Sequence, residues 1–261
     1  MNALAFNYSI RLPLSAPLVS PDWLASKFLT TLDALTEIDA NIFPDWEVID
    51  LPAMKEYPLA VVRSRIAEII GHNIIPDEYG HTQPEKGYSA AAHTTIATIS
   101  HRMRLWIGMG DNTLWLKTGD WKVSTDPAIV TFGLFKAALL AIHAIWPSPW
   151  ACVQAFRANT IWVPIGKGGG YRLDEGPMIS AEPTFPRSIF HIPWIAYLSA
   201  PLASGVELPP EIQTERTSDG GLLMISTEER LDPDLPEHAR RARILAETLI
   251  ARAVTSNAGK Q

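Results

Sequence analysis

Cysteine is nearly absent. Cys152 is the only one in 261 residues, which excludes an internal disulfide framework and fits a reducing compartment. Charge is sparse as well: Asp, Glu, Lys and Arg make up 19% of the chain. The net charge of -6 argues mildly against a general binder of nucleic acid or of an anionic membrane. The opening Met1-Asn2-Ala3-Leu4-Ala5-Phe6 has neither a basic n-region nor a long apolar run, so no signal peptide is expected. One stretch, 128–146, reaches the lower length limit of a membrane span, but it carries Lys136 and His143 and reads as a buried helix. A cytoplasmic protein without membrane contact is the expectation. No internal repeat or long low-complexity linker divides the chain. One domain over 1–254 follows, or two tightly packed lobes meeting near 120–150, with a frayed tail at 255–261.

What is present is aromatic and patterned. Nine Trp is high for this length, and large aromatics must be buried or used at a surface. Leu4 to Leu12 partly alternates and predicts a strand. Ser20-Pro21-Asp22 reads as the start of a helix, with Ser as cap and Leu24, Phe28, Leu32 and Leu35 as its buried stripe, ending near Ala40. Trp46 to Leu51 is a short strand, and Pro58 to Ile70 a second amphipathic helix capped by Gly71. Ala92 to His101, Met103 to Ile107 and Thr113 to Thr118 read as strands around a turn at 108–112. From Ala128 the pattern becomes helical and apolar on nearly every side until Trp146-Pro147. Pro193 to Ser199 and Gly221 to Ser226 predict two more strands, and a helix opens at Asp234-Leu235-Pro236-Glu237, which has the form of a capping box. The fold class is α+β: a mixed or antiparallel sheet packed against amphipathic helices, one of them largely buried near 128–146.

Chemistry-bearing motifs fail one by one on spacing. Gly166-Lys167-Gly168-Gly169-Gly170 lacks the strand-to-helix setting and the Ser or Thr that a phosphate loop requires after Lys, so it reads as a turn. His72, Asp77, Glu78 and His81 share a polar loop but not the spacing of a zinc site. His93 and His101 on one continuous strand would stand about 26 Å apart, too far to share an ion. His143 reads as a hydrogen-bonded core histidine, and Cys152, in an apolar run, as a structural thiol rather than a nucleophile. Ser89, Ser199 and Ser226 have no hydrolase surroundings, and Glu228 and Glu229 are adjacent, hence a poor acid/base pair. No catalytic residue, no metal set and no cofactor is expected, so the chain reads as a non-enzyme.

The carboxylates are unevenly spread. Between Gly205 and Glu237 stand Glu207, Glu211, Glu215, Asp219, Glu228, Glu229, Asp232, Asp234 and Glu237 against Arg216 and Arg230. A second acidic block, 33–56, includes Asp45 and Glu47. Solvated loops explain any single member; together the blocks could attract a basic partner. Arg240, Arg241 and Arg243 sit at the unfavourable end of the last helix, where Glu228, Glu229 or Asp232 could pair with them.

Four places in order resemble the immunity protein 52 family of bacterial polymorphic toxin systems. They are Phe28-Leu29-x-x-Leu32-Asp33-Ala34-Leu35-x-x-Ile38-Asp39 with Phe43-x-x-Trp46; Trp146-Pro147-Ser148-Pro149-Trp150-Ala151; Pro193-Trp194-Ile195-Ala196-Tyr197-Leu198-Ser199; and Gly221-Leu222-Leu223-Met224-Ile225 leading through Glu228-Glu229 and Asp232 to Pro236-Glu237-His238. Pro193 stands where the family pattern has Gly. The resemblance implies a cytoplasmic antitoxin of interbacterial competition, including type VI secretion. Such a protein binds a toxin encoded by an adjacent gene, often a nuclease, and blocks its active site or substrate path. It would act as a monomer or small homo-oligomer without itself touching nucleic acid. The partner surface would then be drawn from Glu207, Glu211, Glu215, Asp219, Glu228, Glu229, Asp232, Asp234, Asp45 and Glu47. Two rivals make different demands. A hydrolase or nuclease needs His81, His93 or His101 within about 4 Å of an acidic pair, with the 228–234 region supplying the acids. A structural or assembly protein would line a symmetric self-interface with tryptophan.

Overall fold

Ten strands pair antiparallel, edge to edge, into one sheet. The computed structural model describes residues 6–14, 19–74, 87–96, 98–109, 112–119, 125–157, 161–165, 170–174, 192–249 and 251–252. In chain order the strands of the sheet are β1 (Phe6–Pro13), β2 (Trp46–Asp50), β3 (Lys55–Pro58), β4 (Ser89–Thr94), β5 (Met103–Gly108), β6 (Thr113–Thr118) and β7 (Trp150–Arg157). After β8 (Ile161–Ile165) and β9 (Gly170–Asp174), which form a separate hairpin, come β10 (Ile192–Leu198), β11 (Gln213–Arg216) and β12 (Leu222–Ile225). The spatial order is β11-β12-β10-β7-β1-β6-β5-β4-β2-β3. The fold is therefore α+β with an antiparallel sheet, as the patterning implied.

One face of the sheet carries the main core. Ile10, Leu12, Val48, Ala92, Leu105, Leu116 and Val153 point into it, and helices α1 (Pro21–Ile38) and α4 (Phe132–Ile145) cover it. α1 starts as its sequence dictates: Ser20 Oγ accepts from the Trp23 amide at 3.2 Å, with Pro21 in the first helical position. Leu24, Phe28, Leu32 and Leu35 are fully buried. α4 is shorter than the apolar run, because Asp126 first caps a 3-10 turn over Pro127–Ile129 and Thr131 then caps the helix proper. The helix expected over 58–70 is broken. α2 (Leu59–Val62) and α3 (Ile66–His72) are separated by a 3-10 turn at Arg63–Arg65, directly after the β-branched pair Val61-Val62. Gly71 lies inside α3, and Asn73 caps it while its side chain bonds Ile49 and Leu51 at β2.

The opposite face is covered at one end. There α6 (Pro236–Leu249) sets Leu245 and Leu249 on Cys152, Ala196, Leu198 and Met224, beside the short α5 (Ala200–Ala203). Trp194, fully buried, donates from its indole to the Thr227 carbonyl, and the Tyr8 hydroxyl donates to the Leu231 carbonyl. These two bonds tie the loop before α6 to the middle of the sheet. No helix among the described residues is long and apolar enough to cross a membrane.

Candidate metal centre

At the other end of the sheet, β3, β2 and β4 lie side by side. Alternation decides what each presents. Trp46 and Val48 of β2 go to the core, so Glu47 points to the opposite face. Ala90 and Ala92 of β4 go to the core, so His93 shares the face of Glu47, and the two are direct cross-strand partners. The β2–β3 hairpin turns back through Met54, whose φ of 51° is the left-handed conformation of a tight turn, and sets Glu56 opposite Ile49 on that same face. Three strands thus deliver three ligand-type side chains to one spot.

The cluster is tight and centred on a buried ring. His93 is 2% exposed. Its Nδ1 lies 3.1 Å from the Thr94 carbonyl and 3.7 Å from Glu47 Oε2, and its Nε2 lies 3.0 Å from Glu56 Oε1. One ligand atom from each of Glu47, Glu56 and His93 falls within 4.8 Å of the others. The 3.0 Å approach is short enough for a hydrogen bond but wrong in direction, and Nε2 has no hydrogen-bond partner among the described residues. Nδ1 faces the Thr94 carbonyl and Glu47, while Nε2 faces Glu56, so the buried imidazole has a carboxylate near each nitrogen. A buried ring nitrogen without a hydrogen bond is desolvated at a cost, and a cation held between it and the carboxylates would offset that cost. An off-axis contact of this length is also what coordination produces: two ligand atoms each about 2.1 Å from an ion, at about 90°, stand about 3.0 Å apart. A histidine held by a backbone carbonyl through its other nitrogen is the usual outer support of a metal ligand. Glu56 is half-exposed, which leaves solvent access to the spot.

The expectation that the chain is not an enzyme is corrected by this cluster. The reading from spacing looked for acids at 228–234 and placed His93 on one strand with His101. β4 instead ends at Thr94, and His101 stands in a 3-10 turn, where its Nε2 meets Asp126 Oδ2 at 2.9 Å. That contact and the Ala128 amide hold Asp126 below the usual carboxylate range, the amide foremost. Asp77, Glu78 and His81, and residues 166–169 of the glycine loop, lie outside the described residues.

Of the ten acids expected at a partner surface, Glu47 alone enters this cluster. Glu215 pairs with Lys136 at 2.6 Å and Glu211 with Arg240 at 2.7 Å. Asp219 accepts from the Tyr197 hydroxyl at 2.6 Å, the Thr217 hydroxyl at 2.5 Å and the Gly221 amide at 3.1 Å. The Thr217 and Tyr197 bonds lower its carboxyl to about 2. Asp232 accepts from the Asp234 amide, and Glu229 stands 3.9 Å from His238 Nε2. Glu207, Glu228, Glu229 and Asp234 are exposed. Asp45 lines a cleft of about 790 Å³ with Asp33, Glu37, Trp46 and Arg63. Arg240 and Arg241 pair with Glu237 of their own helix, and Arg240 also with Glu211, rather than with Glu228 or Asp232. Cys152 is buried, its thiol pushed up to about 12 by desolvation, and His143 packs on Tyr197 with Nε2 3.1 Å from the Ser148 carbonyl. The thiol is buried and the histidine lies within hydrogen-bond distance of a carbonyl, as their settings implied.

The sequence matches no protein-family model and no curated protein. The residues of the cluster therefore carry the functional argument.

Proposed function

We propose that this chain is a divalent-cation-dependent hydrolase centred on Glu47, Glu56 and His93. The observation that carries it is the buried His93 ring, with Glu47 near Nδ1, Glu56 near Nε2, and no hydrogen bond to Nε2 among the described residues. The two Glu carboxylates match the double charge of a divalent ion, and a set richer in oxygen than nitrogen suits Mn²⁺ or Mg²⁺ better than Zn²⁺. Such an ion would lower the pKa of a bound water and polarise the bond under attack. The chain's own contribution is positional. His93 is locked by burial and by Thr94, Glu47 by its place on an inner strand, and Glu56 reaches in from the edge. Arg104, the cross-strand partner of His93 on β5, brings a guanidinium to the same face, where negative charge developing on a substrate would be offset.

The test uses the full chain, stripped of metal and then titrated with Mn²⁺, Mg²⁺ or Zn²⁺ by calorimetry. The same preparations are assayed on bis(p-nitrophenyl) phosphate and p-nitrophenyl acetate. One ion binding stoichiometrically and restoring hydrolysis, with both effects lost in Glu56→Gln, is the expected result. Absence of binding for all three ions overturns the proposal.

A second reading, the toxin inhibitor implied by the immunity-protein resemblance, is favoured by one observation. Glu228, Glu229 and Asp234 stand exposed on the loop that leads into α6, where a basic partner could dock. Co-expression with the product of the adjacent gene decides it: neither growth rescue nor complex formation removes this reading.

A further inference from the structure

We infer that the sheet face carrying the Glu47–Glu56–His93 centre binds single-stranded nucleic acid, with bases on Trp106 and Trp115 and phosphates beside Arg104 and Lys117. The identity of the bond cut rests on the hydrolase reading above; the binding does not.

The register writes this surface out. Beginning at the centre, cross-strand partners on one row are Glu47, His93, Arg104, Lys117 and Ser9, from β2, β4, β5, β6 and β1. The next row on the same face runs Ala91, Trp106, Trp115 and Arg11. Leu105, Ile107, Leu114 and Leu116 point the other way into the core, so alternation commits Arg104, Trp106, Trp115 and Lys117 to this side. The two indoles are half-buried and nearly parallel, 10° apart with centroids 6.1 Å from one another. Lys117 Nζ stands 5.1 Å from the Trp115 ring centroid. Two aromatic planes are thus flanked by cations in the adjoining row, one to two strand spacings, roughly 5–10 Å, from the centre.

That combination selects its ligand. Aromatic planes alone would suit many apolar groups, and cations alone any polyanion. Alternating π-faces and positive charge at strand spacing suits a chain that alternates flat bases and phosphates. A duplex hides its base faces and cannot use the indoles. Arg11, Arg104 and Lys117 each also hold an interaction within the fold. The net charge of -6 does not decide it, because binding responds to the local field.

The experiment measures fluorescence anisotropy of labelled 12-mers of oligo(dT) and oligo(U), a 12-bp duplex and poly-glutamate with the full chain in EDTA at low and moderate salt. Both single strands are expected to bind, to quench tryptophan emission, and to weaken as salt rises. Trp115→Ala is expected to weaken binding roughly ten-fold, with Trp115→Phe retaining most of it as a check on folding, and Lys117→Ala to reduce the salt slope by about 1. Failure of the single strands to bind overturns the inference, as does equal binding of the duplex or of poly-glutamate. Wild-type protein that hydrolyses bis(p-nitrophenyl) phosphate with metal yet binds no strand leaves the hydrolase standing and removes this inference. Protein that binds strands but shows no metal-dependent cleavage does the reverse.

Discussion

The two ends of the sheet use the same side chain in opposite ways. At the β11–β12 end, carboxylates are numerous and each of those paired there has a nearby donor: Glu215 has Lys136, Glu211 and Glu237 have Arg240, and Asp219 has Tyr197 and Thr217. At the β2–β3–β4 end two carboxylates converge on one buried imidazole, whose Nε2 lacks a hydrogen bond among the described residues. Acid density marks the first region and says little about chemistry. Convergence on a buried polar ring marks the second, and it is the feature that invites a ligand.

Four variants would break or sharpen this contrast. The largest effect is expected for Glu56→Gln, which removes a half-exposed ligand and should weaken Mn²⁺ binding on the order of 100-fold by calorimetry, with little change in the apo protein's melting temperature. If ion affinity is untouched, the two ends are alike after all. Next is Gly221→Ala at the other end. A methyl group there would run into the Tyr197 ring, so a loss of about 2 kcal/mol in urea unfolding is expected, while ion affinity stays at the wild-type value. Asp219→Asn should cost about 1 kcal/mol at pH 7, a figure kept small because the carboxylate is 48% exposed. The sign of its pH dependence follows from a folded pKa of about 2 against an ordinary 3.8. Its contribution is fully present above 3.8 and fades as pH falls through 2, so wild-type and Asn stability curves should converge there. The smallest effect is expected for Glu228→Gln with Glu229→Gln, two exposed side chains far along the sheet order from the centre: no measurable change in ion affinity.

Much of the fold was legible because it follows local rules. Ser20-Pro21 starts α1, alternation gives β1, β5 and β6, and the apolar period gives α4. β3 and β11 were not, since each has four residues, lies on an edge, and carries polar or charged side chains without alternating burial. The centre was hidden for a related reason. In the sequence Glu47 is one member of an acidic block, Glu56 sits on β3, whose four residues carry no strand pattern, and His93 lies in a run whose pattern continues to His101. None of the three has a partner at ligand spacing in sequence, because antiparallel register rather than helical periodicity brings them together. A cue existed: Asp50-Leu51-Pro52-Ala53-Met54-Lys55 separates two short extended segments, and reading it as a hairpin turn would have placed Glu56 beside Glu47.

The place of Glu56 on the outermost strand has a further consequence for solubility. β3 is the outermost strand of the sheet on one side, and backbone groups left unpaired there among the described residues offer a template for another chain. An ion shared by Glu56 on β3 and by Glu47 and His93 on the two strands inside it would act as a clasp across three strands, holding the rim flat against its neighbour. Withdrawing that ion would loosen the rim first, so chelation should raise self-association before it lowers the cooperative melting of the sheet.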